Sequence, residues 1–215
     1  AMDKSISKKI FKKKKIITPR SFILSDKKIK KNHLLYLIKK NKISFPIVVK
    51  LINEGTSIGV NICKNLSKLF QSIKLLRRKY QSLILEKFIG GKEIQVAVMN
   101  GRAIGAIELR PKRIFYDYKA KYLKSAKTQH IMPASITKKK YNEVLKISEK
   151  THAALGCRGV TRSDFKFYKN KFYLLEINTQ PGMTSLSLVP EIASYKRISF
   201  ENLVEKILLN ASVNR

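Results

Sequence analysis

Three oxygen-bearing side chains late in the 215-residue chain could together hold a divalent cation. Asp164, Glu176 and Asn178 fall in two β-rich runs, 160–168 and 171–178, that read as a hairpin turning at Lys169 and Asn170. Strand side chains alternate between faces, so Arg162, Asp164 and Lys166 are expected on one face of the first strand. Leu174, Glu176 and Asn178 are expected on one face of the second. Glu176 sits between Leu175 and Ile177 in a run that otherwise reads as core, where a charge is costly without a partner. A set made only of hard oxygen donors suits Mg2+. The plainer alternative is a solvated strand face carrying incidental acids. Against it stands the scarcity of acids, 14 in the chain against 46 Lys and Arg.

A second candidate lies earlier. The run 43–49 is short and β-rich and ends at Lys50, followed by a glycine-bounded loop from Glu54 to Gly59. A lysine at a strand end could reach a phosphate, and Gly55 and Gly59 would let backbone N–H groups approach its oxygens. An ordinary strand-to-helix turn is the alternative for this loop.

These residues must be carried by an ordered set of elements. Asp3 can cap a helix bearing Ile6 and Ile10, stopped by Pro19. The spacing of Leu66, Leu69, Phe70, Ile73 and Leu76 predicts a helix over 65–80, and 82–89 reads as a strand closed by Gly90 and Gly91. The runs 93–99 and 102–109 flank Asn100-Gly101, a strong hairpin signal. The stretch 111–128 reads as a long polar and aromatic loop, 138–155 as a helix and 200–210 as a closing helix. Strand pairs mixed with helices indicate an α+β chain of two lobes, 1–89 and 90–215.

The formal net charge of +32 admits a nucleic-acid-binding protein. Its lysines are spread along the chain, as at Lys138, Lys139 and Lys140, and no interleaved aromatic and basic motif appears. Compositional bias of the AT-rich kind explains the charge better, and no nucleic-acid partner is expected. No stretch approaches the roughly 18 apolar residues of a membrane span, so no membrane partner is expected either. The basic run from Lys8 to Lys15 is not followed by an apolar segment and is not a secretory signal. Cys63 and Cys157 form no disulfide framework or metal spacing and fit a reducing cytoplasm.

The run Glu176-Ile177-Asn178-Thr179-Gln180-Pro181-Gly182-Met183-Thr184, continued by Ser187-Leu188-Val189-Pro190, resembles the metal-binding signature of D-alanine–D-alanine ligases. Gly156-Cys157-Arg158-Gly159-Val160, Arg162-Ser163-Asp164, Lys50 with Glu54-Gly55-Thr56-Ser57-Ile58-Gly59, and Phe115-Tyr116-Asp117-Tyr118-Lys119-Ala120-Lys121-Tyr122 resemble the same family, in its order. The resemblance runs from Met2-Asp3-Lys4 to near the C-terminus. It implies an ATP-grasp fold, two lobes each with a mostly antiparallel sheet and helices, with the nucleotide between them. It implies ATP and Mg2+ as cofactors, Mn2+ being the substitute ion, and D-alanine as the partner molecule. The complete protein is expected to be a homodimer.

The resemblance also implies roles. Lys4 and Lys50 would hold ATP phosphates with Glu54 and Gly55. Glu86, Lys87, Phe88 and Ile89 would line the adenine pocket, Glu93 would bind the ribose hydroxyls, and Lys121 would reach the γ-phosphate. Asp164, Glu176 and Asn178 would hold the metal. Tyr122 with Thr56 or Ser57 would order the first D-alanine, on a loop including Tyr116. Arg162 and the Gly182 amide would stabilise a tetrahedral oxyanion, and Ser187 and Leu188 would hold the second D-alanine. The first carboxylate would become an acyl phosphate that the second amine attacks, giving D-alanyl-D-alanine for peptidoglycan.

The chain departs from the family's pattern at Thr56, usually Ser, and at Leu51, usually Pro. The family's glycine-rich N-terminal domain, with a glutamate for the first D-alanine, has no counterpart before Ala1. The 215 residues alone are therefore expected to bind Mg-ATP and to make dipeptide poorly. Rival readings are an ATP-grasp ligase forming a D-alanine–D-lactate ester, a non-catalytic ATP-binding remnant, and a basic nucleic-acid-binding protein.

Overall fold

The computed structural model describes residues 3–26, 29–54, 59–111, 128–184 and 186–211. The chain divides into two compact units, one of Met2–Lys9 and Thr18–Ile89, the other of Ala1, Ile10–Ile17 and Gly90–Arg215. The segment 10–17 thus groups with the residues after Gly90, which a single cut after residue 89 does not anticipate.

The chain opens with α1 (Lys4–Lys13). Asp3 caps it, its carboxylate accepting the backbone N–H of Ser5 at 2.7 Å and of Ile6 at 3.0 Å. The helix ends well before Pro19.

The first unit then carries β1 (Ser21–Leu24), α2 (Lys31–Lys40), β2 (Ile47–Leu51), β3 (Asn61–Cys63), α3 (Leu66–Leu76) and β4 (Leu83–Lys87). Its sheet runs β1-β4-β2-β3, every neighbour antiparallel. β2 begins later than its apolar run suggests, because Pro46 has no N–H to give a ladder. Asn65 caps α3 by accepting the Lys68 amide at 3.0 Å. Leu34, Ile38, Leu69 and Ile73 from the helices pack on Ile47, Val49, Leu83 and Leu85 to form this unit's core.

The second unit carries β5 (Lys92–Met99), β6 (Arg102–Arg110), β7 (Gln129–Ile131), α4 (Lys138–Ala154), β8 (Val160–Tyr168), β9 (Lys171–Asn178), α5 (Leu188–Tyr195) and α6 (Phe200–Asn210). Its antiparallel sheet runs β7-β6-β5-β8-β9. Both expected two-residue hairpins form. Asn100 and Gly101 take φ of 50° and 79°, and Lys169 and Asn170 take 46° and 61°, the left-handed pair that matches strand twist.

The five-stranded sheet buries both faces. One face packs Ile94, Val96, Ala106, Phe165, Leu174 and Ile177 with Val144 of α4 and with Phe11. The other packs Ala97, Ile107 and Leu109 under Val189 and Ile192 of α5 and Leu203 of α6.

A register shift interrupts β8 and β9: Asp164 faces Glu176, but Phe165 faces Leu174. Leu175 is therefore an extra residue, a β-bulge. This corrects the expected face of β9. Leu174 turns into the core beside Phe165 and Phe172, while Glu176 and Asn178 stay opposite Asp164 and Arg162. Among the described residues, no helix is long and apolar enough to cross a membrane.

Candidate nucleotide and metal sites

In the first unit, β2 and β4 pair with Val48 opposite Glu86. Lys50 lies two residues beyond Val48 and therefore projects from the same face as Glu86. Its ammonium donates a hydrogen bond to Glu86 Oε1 at 2.8 Å. A second lysine, Lys8 of α1, places Nζ 2.7 Å from Glu86 Oε2 as an ion pair and donates to the Pro19 carbonyl at 3.3 Å. Glu86 is 1% exposed. Burial pushes its carboxyl upward, but Lys50 and Lys8 outweigh that and hold it below its ordinary value. Burial lowers the Lys8 ammonium, with Glu86 opposing the shift. Two ammonium groups meet one carboxylate, in a place where the dielectric is low and an anion is attracted strongly.

Lys4 precedes Lys8 by one helical turn and shares its side of α1. Its ammonium donates to the Glu54 carbonyl, and its backbone N–H donates to Ile52 O at 3.2 Å. Three lysines thus gather in this unit, around the end of β2 and the residues just after it. Lys8 was not anticipated. Its only sequence signal is the four-residue spacing from Lys4, which is weak in a chain this rich in lysine.

Lys87 and Phe88 spend their amides on the carbonyls of Arg20 and Pro46. Reading of a ligand edge through Lys87 is therefore confined to its carbonyl. Ile89 is buried. Gly59 has φ +69°, and a Cβ there would lie 2.6 Å from Leu51 Cδ1. Its lack of a side chain serves packing against Leu51, whatever it also offers a phosphate. Gly55, Thr56, Ser57, Tyr116, Lys121 and Tyr122 lie outside the described residues.

In the second unit, one face of the sheet brings four predicted residues together. Asp164 is opposite Glu176 and Arg162 is opposite Asn178. Arg162 donates through Nε and Nη2 to the two carboxylate oxygens of Asp164, at 2.8 and 3.1 Å. The fork fixes Asp164, which is 5% exposed. Asn178 Oδ1 accepts the Gln180 amide at 2.9 Å, which orients the side chain and starts the turn into Pro181 and Gly182.

On the neighbouring strand Glu93 pairs with Lys166 at 2.9 Å. Gln95, directly opposite Asp164, is fully buried, and neither its amide nitrogen nor its oxygen has a partner among the described residues. Sequence reasoning missed Gln95, which looks like any alternating strand residue.

The donor set fits Mg2+. Two carboxylates directly opposite repel each other, and a cation placed near both relieves the repulsion. Magnesium prefers one or two carboxylates completed by phosphate oxygens and water over a full protein cage. Accordingly, among the described residues no group of three or more His, Cys, Asp and Glu converges; the set is two acids and one amide.

The turn after β9 leads to the remaining residues. A Cβ on Gly182 would lie 2.8 Å from Ser187 Oγ, so a side chain there would displace that hydroxyl. Ser187 Oγ accepts the Thr184 amide at 3.0 Å and shares a hydrogen bond with its hydroxyl at 2.9 Å. The Leu188 side chain is buried in the core, which leaves its backbone as the part able to meet a small polar ligand.

Comparisons with known proteins identify the family. A family model described as "D-ala D-ala ligase C-terminus" matches residues 10–209. The D-alanine–D-alanine ligase of Pelagibacter ubique is 55% identical over 215 residues, covering all of this chain and 69% of that protein. The crystal structure of D-alanine–D-alanine ligase from Bacillus anthracis matches with a TM-score of 0.83 at 31% identity, over 97% of this chain and 66% of that one. Its complex with ATP gives 0.80 at 27% identity, over 97% and 65%. The chain thus spans about two thirds of the length of these relatives.

Proposed function

The chain belongs to the D-alanine–D-alanine ligase family, with an ATP-grasp fold, and from that premise we propose that it carries the nucleotide and metal chemistry for joining two D-alanines. The reaction would pass a phosphoryl group from ATP to the first D-alanine carboxylate, and the second D-alanine's amine would then displace phosphate. The product, D-alanyl-D-alanine, serves peptidoglycan synthesis. Use of ATP supports the cytoplasm as its compartment, and the free thiols Cys63 and Cys157 fit a reducing one.

The observation that carries this reading is the pairing of β8 with β9, which sets Asp164 against Glu176 and Arg162 against Asn178. When bound there, Mg2+ would neutralise charge on the phosphates. The chain's own groups do the rest. Arg162, fixed by Asp164, offers a directed positive charge beside the acids. Asn178 holds its oxygen in place through the Gln180 amide. Lys4 and Lys50 supply cations for phosphate oxygens, where positioning and electrostatics provide most of the rate. Gly182 and Ser187 make a close-packed turn whose backbone can meet a small zwitterion.

The direct assay is phosphate release from ATP that depends on D-alanine. Supplying the part of a relative that this chain does not span, fused or in trans, should raise turnover from a low value. Loss of that turnover in Asp164→Asn is expected. Phosphate release indifferent to D-alanine under all these conditions would refute the reading.

A further inference from the structure

The buried acid Glu86 has two lysines where one would neutralise it, and the two are not equivalent. Lys50 makes a directed hydrogen bond to Oε1 and sits one residue before the end of β2, next to the segment that leads to Glu54. Lys8 comes from α1, faces Oε2 as an ion pair and is also tied to the Pro19 carbonyl. The Lys50 and Lys8 side chains are 12% and 14% exposed, and Glu86 is sealed.

A phosphate arriving beside Lys50 competes with Glu86 for that ammonium. If Lys50 were the sole counterion, its departure would strand a buried carboxylate, among the costliest states a protein interior can hold. With Lys8 in place the carboxylate keeps a partner. We propose that Lys8 is the standing counterion of Glu86, and that it frees Lys50 to transfer from Glu86 to a nucleotide phosphate. Lys8 is thus a positioning residue for nucleotide binding, acting through Glu86 without touching the nucleotide. The inference rests on the nucleotide reading of this unit.

Its signature is a coupling. Replacing Lys8 by Met leaves Lys50 clamped on Glu86, so affinity for nucleotide falls. Replacing Glu86 by Gln removes both the clamp and the charge that needs balancing, so Lys8 no longer matters.

The test is calorimetric titration of the 215-residue chain with Mg-ADP, in the wild type, Lys50→Met, Lys8→Met, Lys8→Arg, Glu86→Gln and the Lys8→Met/Glu86→Gln double variant. Lys8→Met is expected to weaken binding on the order of tenfold, a typical coupling between linked sites, and Lys8→Arg to restore it. In the Glu86→Gln background, Lys8→Met should change affinity no further. Wild-type affinity in Lys8→Met, or an equal loss in both backgrounds, would overturn the proposal while leaving the nucleotide site standing. Unchanged binding in Lys50→Met would instead refute the nucleotide site, and the proposal with it. If Lys8→Met alone does not fold, thermal melting decides: recovery of folding in the double variant supports the counterion role, and its continued failure overturns it.

Discussion

On the four-stranded sheet one sealed carboxylate, Glu86, is held by Lys8 and Lys50. On the five-stranded sheet Asp164 and Glu176 face each other with Arg162 on the first of them, and Glu93 is paired with Lys166 nearby. The first cluster sets two ammonium groups against one carboxylate. The second gathers three carboxylates, in a chain whose net charge is +32. Local balance, and not the sum over the chain, decides what each face attracts. An anion such as phosphate suits the first, and a divalent cation suits the second.

The largest expected effect breaks the acidic side of this contrast. Asp164→Ala removes both acceptors of the fork that Arg162, with its side chain 14% exposed, makes there. We expect a loss of about 3 kcal/mol in urea denaturation, the scale for losing one partner of a buried pair, together with loss of magnesium-dependent nucleotide binding. The basic side gives the next effect. Lys50→Ala should weaken Mg-ATP binding roughly tenfold or more, the scale of a charge-assisted contact, while Lys39→Ala should leave it nearly unchanged. Lys39 is exposed on α2, and both changes remove one charge. Equal losses would mean that net charge, and not the cluster, holds the phosphates.

A smaller effect comes from a group outside both clusters. His152 is buried against Thr161, its Nδ1 2.9 Å from the hydroxyl, and burial lowers its pKa from the usual 6.5. A folded-state pKa below the unfolded one contributes stability above about pH 6.5 that is lost as pH falls toward the folded value. Melting temperature should therefore drop between pH 7 and pH 5, and His152→Gln should flatten that part of the profile. The smallest effect serves as a control. Asn65→Ala removes the cap of α3 and should cost about 1 kcal/mol, without altering nucleotide affinity.

Elements with local signals were legible in the sequence. Asn100-Gly101 and Lys169-Asn170 marked their turns, and Asp3 and the spacing of Leu69 and Ile73 marked helices. What was missed depends on partners. β1 and β3 have four and three residues and exist through pairing with β4 and β2. α2 starts at Lys31, and Lys30 before it gives no side-chain cap. α5 carries Pro190 in its first turn, where proline is tolerated, and Ser187 gives its hydroxyl to Thr184 in place of a cap. At the sites, the acids of the hairpin stood out because acids are rare here. Lys8 did not, because one lysine among many has no signature until Glu86 is seen beside it. The bulge at Leu175 was equally hidden: strict alternation assigns Leu174 to the polar face, and only packing against Phe165 and Phe172 moves it to the core.

The metal site stands or falls with the facing pair on β8 and β9, and Glu176 is its most informative member. The measurement is the affinity of the chain for ATP by calorimetry, with and without Mg2+, in the wild type and in Glu176→Ala. Magnesium is expected to strengthen binding in the wild type, and most of this gain to disappear in Glu176→Ala, with magnesium-free affinity little changed. An equal magnesium dependence in the two proteins would contradict the metal site.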